Sequence, residues 1–320
     1  ADHAGEDRGV HDVEIGLHSA DRCKSLEDLA ARLGVRARVH LKVDTGLARL
    51  GVMPSKALEL LEHIHGSPHL QLAGVMTHMA SSEGWHDERT REQTRAFEQV
   101  LWEARLRGLL RGWIHAANSA CIFTGMERMY DCVRPGISAY GVLPGTLPGA
   151  DELQAVMSLR TQIVFMKDVP AGSPVGYGGT WLSTRPTTRI ATLPVGYNDG
   201  LAWRLGNTGE VLVRGQRARI VGRISMDYSC IDVSDIPGVS VGDRVTLVGT
   251  QGDERITLER VAEQIGTIPY EVSCSVGKRV ERVYVGGEGL LHPQPRNPQQ
   301  QASPEARSAT TTPTLPLSTS

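Results

Sequence analysis

The sequence predicts an α/β protein in which a parallel β/α domain is followed by an antiparallel β domain. Two observations carry this. Short apolar runs alternate with amphipathic stretches over the first 145 or so residues, and after about residue 150 the runs become short, β-rich and separated by turns. Strand, helix, strand, helix with short joins gives a parallel sheet with right-handed crossovers. Domains are expected at 1–150 and 151–285, with a tail at 286–320.

Five strands are expected in the first domain: VEIGLHS (13–19), ARVHLKV (37–43), LAGVMTHM (72–79), GWIHAANS (112–119) and DCVRPGISAYG (131–141). The helices between them have readable ends. Ser25 with Asp28 resembles a capping box, and Gly34 stops that helix. Pro54 suits a first helical turn before SKALELLEHI. The charged, helically periodic segment from Glu88 to Arg107 ends at Gly108. On pattern alone, an open doubly wound sheet and a (β/α)₈ barrel both fit. A barrel would need three more strands, expected before residue 1. In the second domain, RTQIVFMKDV, TTRIATLPV, GEVLVRG, RARIVGRIS, SCIDV and DRVTLVG read as strands broken by Gly, Asp and Pro. Gly286 to Ser320 is rich in Pro, Gln, Ser and Thr. It buries too little to offset its chain entropy, so disorder is expected there.

Composition narrows the function. A chain of 320 residues, 40% hydrophobic and 22% charged, is long enough for a large core. A net charge of −2 argues against broad attraction to nucleic acid or anionic lipid. No apolar run is long enough to span a membrane. The start, ADHAGEDRG, is polar and acidic, unlike a secretory signal. Five cysteines without a CxxC pair fit reduced thiols in the cytoplasm better than disulfides or a zinc site.

A parallel barrel places its chemistry at the C-terminal ends of its strands. Polar groups cluster there: Lys42, Asp44 and Thr45, then His78, then Asn118 and Ser119, then Arg134 and Gly136. The surrounding motifs are HLKVDTGLARLG (40–51), THMASSE (77–83), HAANSA (115–120), VRPGISAYG (133–141), VGYGGTW (175–181), TLPVGYNDG (192–200), GRISMDYSCIDV (222–233) and TIPYEVSCSVGKRVERVY (267–284). In this order they resemble the motifs of alanine racemases, over about Val13 to Val285. The resemblance implies a partial (β/α)₈ TIM-type barrel of about five strands, a C-terminal antiparallel β domain, pyridoxal 5'-phosphate (PLP) as cofactor, no metal, and a homodimer with shared active sites. It implies interconversion of L- and D-alanine, supplying D-alanine for peptidoglycan. The alternatives are a racemase of another small amino acid such as serine, or a non-enzymatic relative.

The resemblance also assigns residues. Racemisation removes an α-proton and returns one on the opposite face, while PLP takes up the electrons. Tyr177 matches the family's tyrosine base, with His78 and Arg134 in a hydrogen-bond chain reaching it across the dimer. A free tyrosine has a pKa of about 10, which nearby positive charge lowers. Arg134 is also implied to face the pyridine nitrogen, which it cannot protonate. Ser119, Asn118, the amides of Gly136 and Ile137, and Tyr270 are the implied phosphate-binding set. Arg49 and Met226 match the substrate contacts, with Lys42 and Asp227 in support. The family's other base is the cofactor-binding lysine, in a motif close to VVKANAYGHG. None of the five lysines (Lys24, Lys42, Lys56, Lys167 and Lys278) has that context.

Overall fold

The structure is a computed structural model that describes residues 13–80, 88–126, 128–143, 147–149 and 152–285. The stretch expected to be a disordered tail, and the end of the THMASSE motif, lie outside these residues. The strands β1 (Ile15–Leu17), β2 (Ala37–Lys42), β3 (Leu70–Met76) and β4 (Trp113–His115) pair in chain order as a parallel sheet. They are joined by the helices α1 (Ala20–Leu33), α2 (Pro54–Gly66) and α3 (Glu88–Leu106). A short helix, α4 (Ser119–Phe123), follows β4.

The expected fifth strand is reduced to one parallel bridge, between His115 and Cys132. Pro135 and Gly136 follow at once, and the chain turns into a 3-10 helix at Ile137–Tyr140. Proline has no N–H to give to a ladder, so the pairing stops there. The cap of α1 also differs from expectation. Ser19, not Ser25, accepts from the Arg22 amide, while the Ser25 hydroxyl donates back to the Asp21 carbonyl. Lys24 therefore lies inside the helix. Gly34 closes α1 in the left-handed region (φ 66°), and Pro54 opens α2.

Alternation along β2 sorts its side chains. Val39 and Leu41, followed by Val43, are fully buried in a core with Leu61 and Ile64 of α2 and Phe97 of α3. Arg38, His40 and Lys42 take the opposite face. Phe97 also meets Tyr130 edge-on at 5.6 Å between ring centres. Truncating it leaves a cavity, so Phe97→Ala is expected to cost about 3–5 kcal/mol, read as a lower urea midpoint.

The second domain is built on an eight-stranded sheet, ordered β14-β13-β10-β11-β12-β9-β6 with β5 paired to β13. Its strands are β5 (Leu159–Gln162), β6 (Phe165–Pro170), β9 (Thr187–Leu193), β10 (Glu210–Val213), β11 (Gln216–Ile220), β12 (Ser229–Asp232), β13 (Arg244–Gln251) and β14 (Glu254–Ile256). Among the described residues all their pairings are antiparallel. A separate pair, β7 (Pro174–Val175) and β8 (Trp181–Leu182), brackets the VGYGGTW turn. The β-rich expectation missed two helices, α5 (Leu258–Ile265) and α6 (Pro269–Cys274). Their signals were present: Thr257 caps α5, Gly266 ends it and Pro269 opens α6. No helix among the described residues is long and apolar enough to cross a membrane.

Candidate active site

The polar groups at the strand ends converge on Arg134. Its Nη1 lies 2.6 Å from His115 Nδ1. Its Nη2 donates to the carbonyls of Thr77 (2.8 Å) and Ala116 (3.1 Å) and lies 3.3 Å from His78 Nδ1. The Arg134 amide donates to the Ala117 carbonyl, which ties the segment to the end of β4. Four acceptors from two strand ends thus fix the guanidinium, and none is a carboxylate. Among the described residues its Nε–H meets no protein acceptor.

Lys42 and Arg49 share this electrostatic neighbourhood. Burial, then the charges of Arg134, Arg49 and Lys42, push the His78 pKa down to about 4. Burial and the charges of Arg49 and Arg134 also lower the Lys42 pKa. Both effects follow from gathering cations where water is scarce. His78 is therefore neutral at pH 7. Since an arginine N–H faces its Nδ1, its own proton sits on Nε2.

Arg49 is exposed at the tip of a loop that Asp44 organises. The Asp44 carboxylate accepts from the amides of Gly46, Leu47 and Ala48 at 3.0, 2.9 and 3.1 Å. Burial opposes its ionisation, but these amides and Lys42 outweigh burial and keep the pKa low. Gly51 closes the loop at φ 138°, where a Cβ would fall 2.6 Å from the Asp44 nitrogen.

A second cluster forms at α4. The Ser119 hydroxyl oxygen takes the Gly136 amide at 2.8 Å, the Ser138 amide at 3.3 Å and the Ser138 hydroxyl at 3.1 Å. Three donors crowd an oxygen with two lone pairs. The Ile137 amide opens the 3-10 turn, so it has no partner within that turn. Asn118 sits beside Ser119: its Oδ1 caps α4 at the Cys121 amide and its Nδ2 donates to the Met79 carbonyl. These bonds hold the start of α4, and with it Ser119, against the end of β3.

The remaining expected residues lie on the second domain. Tyr177 begins a 3-10 turn between β7 and β8 and is 72% exposed. Gly176, Gly178 and Gly179 all take positive φ, which lifts the tyrosine away from the sheet. Met226 is half-exposed, in a turn where the Ser225 hydroxyl donates to the Tyr228 carbonyl. Asp227 shares that turn. Tyr270 is in the first turn of α6, and burial raises the pKa of its hydroxyl.

Sequence reading passed over His115, His40 and Glu14, although His115 and His40 stand in quoted motifs. The available signal was strand phase: Arg38, His40 and Lys42 alternate with Val39, Leu41 and Val43, so a polar line runs along one face.

Cationic and donor-rich groups at parallel strand ends, in a chain that continues into an antiparallel β domain, match the layout that the alanine racemase resemblance implies. Family models agree in detail: "Alanine racemase, N-terminal domain" matches residues 3–144 and "Alanine racemase, C-terminal domain" matches 156–284. The alanine racemase of Halothermothrix orenii is 42% identical over 267 residues, which cover 82% of this chain and 70% of that protein. Alanine racemase 2 of Caldanaerobacter subterraneus is 39% identical, covering 86% and 71%. The solved alanine racemase of Clostridium difficile 630 superposes with a TM-score of 0.83 at 30% identity, covering 91% of this chain and 76% of that one. This chain belongs to the alanine racemase family, which is PLP-dependent.

The described residues fit PLP at two ends. The surplus of donors around Ser119 suits a phosphate, and the Arg134 Nε–H suits a pyridine nitrogen. The aldehyde end is different, because no lysine of the 320 stands in the family's cofactor motif.

Proposed function

We propose that the chain forms the greater part of a PLP-dependent alanine racemase, with the division near residue 150 separating a partial barrel from the β domain. The observation that carries this is Arg134, held by four uncharged acceptors with its Nε–H among the donors left over. When bound, PLP supplies the electron sink that makes an α-proton removable.

The chain's own residues do the rest. The Ser119 hydroxyl and the Gly136 and Ile137 amides would hold the phosphate, with Tyr270 at its rim. Arg134 would meet the ring nitrogen without protonating it, which would restrain the sink and disfavour side reactions. Arg49 binds the substrate carboxylate, with Lys42 beside it, and Met226, backed by Asp227, limits the side chain to a small one. Tyr177 moves a proton at its phenol oxygen. His78, neutral with its proton on Nε2, donates to that oxygen, and Arg134 behind it favours negative charge there.

This division of labour requires a homodimer. Tyr177 stands exposed on its own β domain, so it serves a partner's barrel. Tyr197, Met226, Tyr228 and Ile268 are also exposed on that domain, apolar surface that a partner subunit would cover. A cytoplasmic setting suits the exposed thiols Cys132 and Cys274.

The test is a PLP titration followed by absorbance. The chain is expected to take up PLP reversibly, with no borohydride-trapped link at any of its five lysines, and Ser119→Ala is expected to weaken uptake about tenfold. Uptake indifferent to Ser119→Ala, or a trapped lysine, would contradict the proposal. Racemisation is expected once a relative's lysine-bearing segment is supplied.

A further inference from the structure

A line of polar side chains leads from Arg134 across the face of the parallel sheet opposite its helices. His115 Nδ1 lies 2.6 Å from Arg134 Nη1, and His115 Nε2 lies 2.9 Å from His40 Nδ1. His40 Nε2 in turn lies 2.6 Å from Glu14 Oε2. His40 stands on β2 and His115 on β4, with β3 between them. The two rings meet because Gly74 of β3 is paired with His40 and carries no side chain. A Cβ at Gly74 would fall 2.4 Å from His40 Nδ1 and 2.4 Å from the Trp113 carbonyl oxygen. Over that bare backbone the imidazoles pack edge-on, with centres 4.9 Å apart and planes at 70°.

The protons on this line have one consistent arrangement. Arginine only donates, so His115 Nδ1 accepts. Neutral His115 then carries its proton on Nε2 and donates to His40 Nδ1. His40 carries its proton on Nε2 and donates to the Glu14 carboxylate. Every ring nitrogen is used: moving the His115 proton would set two N–H groups against each other at Arg134, and moving the His40 proton would do so between the rings and leave His40 Nε2 facing the carboxylate. Burial and the Arg134 charge hold the His115 pKa at about 4, which keeps that ring neutral. The hydrogen bond from His40, together with Arg38, lowers the Glu14 pKa and keeps it an anion.

We propose that Glu14, His40 and His115 are positioning residues, a polarised hydrogen-bond line that fixes His115 as an acceptor and so holds Arg134 toward the cofactor ring. The line rests on the reading of Arg134 given above. It links the half-buried guanidinium to a carboxylate through two neutral imidazoles, since no carboxylate among the described residues pairs with Arg134 directly. It compensates charge at the fixed cation without letting an acid near the ring nitrogen.

Nitrogen-15 NMR of the histidine-labelled 320-residue chain tests this without cofactor. At pH 7, His115 and His40 are expected as single Nε2–H tautomers. Glu14→Gln should shift the Nε2 signals of both rings toward weaker hydrogen bonding, because a neutral amide polarises the line less than a carboxylate. Glu14→Asp should restore them, a rescue that a packing role does not predict. His40→Gln gives an independent break in the line. PLP affinity, measured on the same proteins, should fall about tenfold in Glu14→Gln and in His40→Gln. An Nδ1–H tautomer at His115, or Nε2 signals indifferent to Glu14→Gln, would overturn the line itself. Correct tautomers with PLP affinity unmoved by Arg134→Leu would instead overturn the cofactor role of Arg134, and the positioning role with it.

Discussion

Acidification from pH 6.5 to pH 4 is expected to destabilise this chain steeply, with His115 as the main cause. Its pKa falls from an ordinary 6.5 to about 4, through burial first and the Arg134 charge second. Unfolded chain therefore binds a proton in this window that folded chain refuses, so stability present above pH 6.5 is lost as the pH falls toward 4. His115 is only 7% exposed, so the cost approaches the full linkage value, about 3 kcal/mol. His78 follows the same sign, also to about 4, with a smaller loss because it is partly exposed. Carboxylates such as Asp44 and Glu14 have lowered pKa values, so their losses begin only below their ordinary range near 4. A urea midpoint that starts falling near pH 6 is thus the histidine signature. His115→Asn should flatten the upper part of the curve. A flat profile from pH 6.5 to 4.5 would show that these rings are not neutral and enclosed.

Tyr177→Phe is expected to lower racemisation about 10²–10⁴-fold in both directions, the usual contribution of one acid–base group. This applies to the enzyme with its cofactor lysine supplied. PLP affinity should not change, since the phenol oxygen takes no part in holding the phosphate or the ring. The exposed position of Tyr177 adds a sharper expectation. Chains carrying Tyr177→Phe and chains carrying Arg134→Leu should each be inactive alone. Mixed and allowed to exchange, they should recover about a quarter of the normal activity, because half the dimers are mixed and each has one intact site. No recovery, with exchange shown by mass, would place Tyr177 in its own chain's site.

The relay adds a prediction about the backbone. Gly74→Ala pushes a methyl against both the His40 ring and the fixed Trp113 carbonyl. The ring can move but the carbonyl cannot, so a loss of about 1–3 kcal/mol is expected, measured by thermal or urea unfolding. A weaker His115–His40 hydrogen bond, read from the nitrogen-15 signals, should accompany it.

Much of this was legible in the sequence for physical reasons. Pro54, Gly34 and Gly108 mark helix ends because their backbone chemistry admits little else. The buried run of Val39, Leu41 and Val43 announced a strand packed on helices. What failed was local choice among similar signals. Ser19 and Ser25 are both plausible caps, and only the position of the first helical turn decides between them. The run from Asp131 to Gly141 is apolar enough for a strand, yet Pro135 and Gly136 end its pairing. The helices α5 and α6 were hidden by the β texture around them. The meeting of His40 with His115 depends on the register that sets Gly74 between them. That register joins residues 75 apart, so no local pattern could show it.

The central claim is that the strand ends form one PLP site around Arg134, and a crystal structure of this chain with PLP tests it most directly. The phosphate is expected among Ser119, Gly136 and Ile137, with the ring nitrogen against the Arg134 guanidinium. Density for PLP elsewhere, or a ring nitrogen facing a carboxylate, would contradict the account.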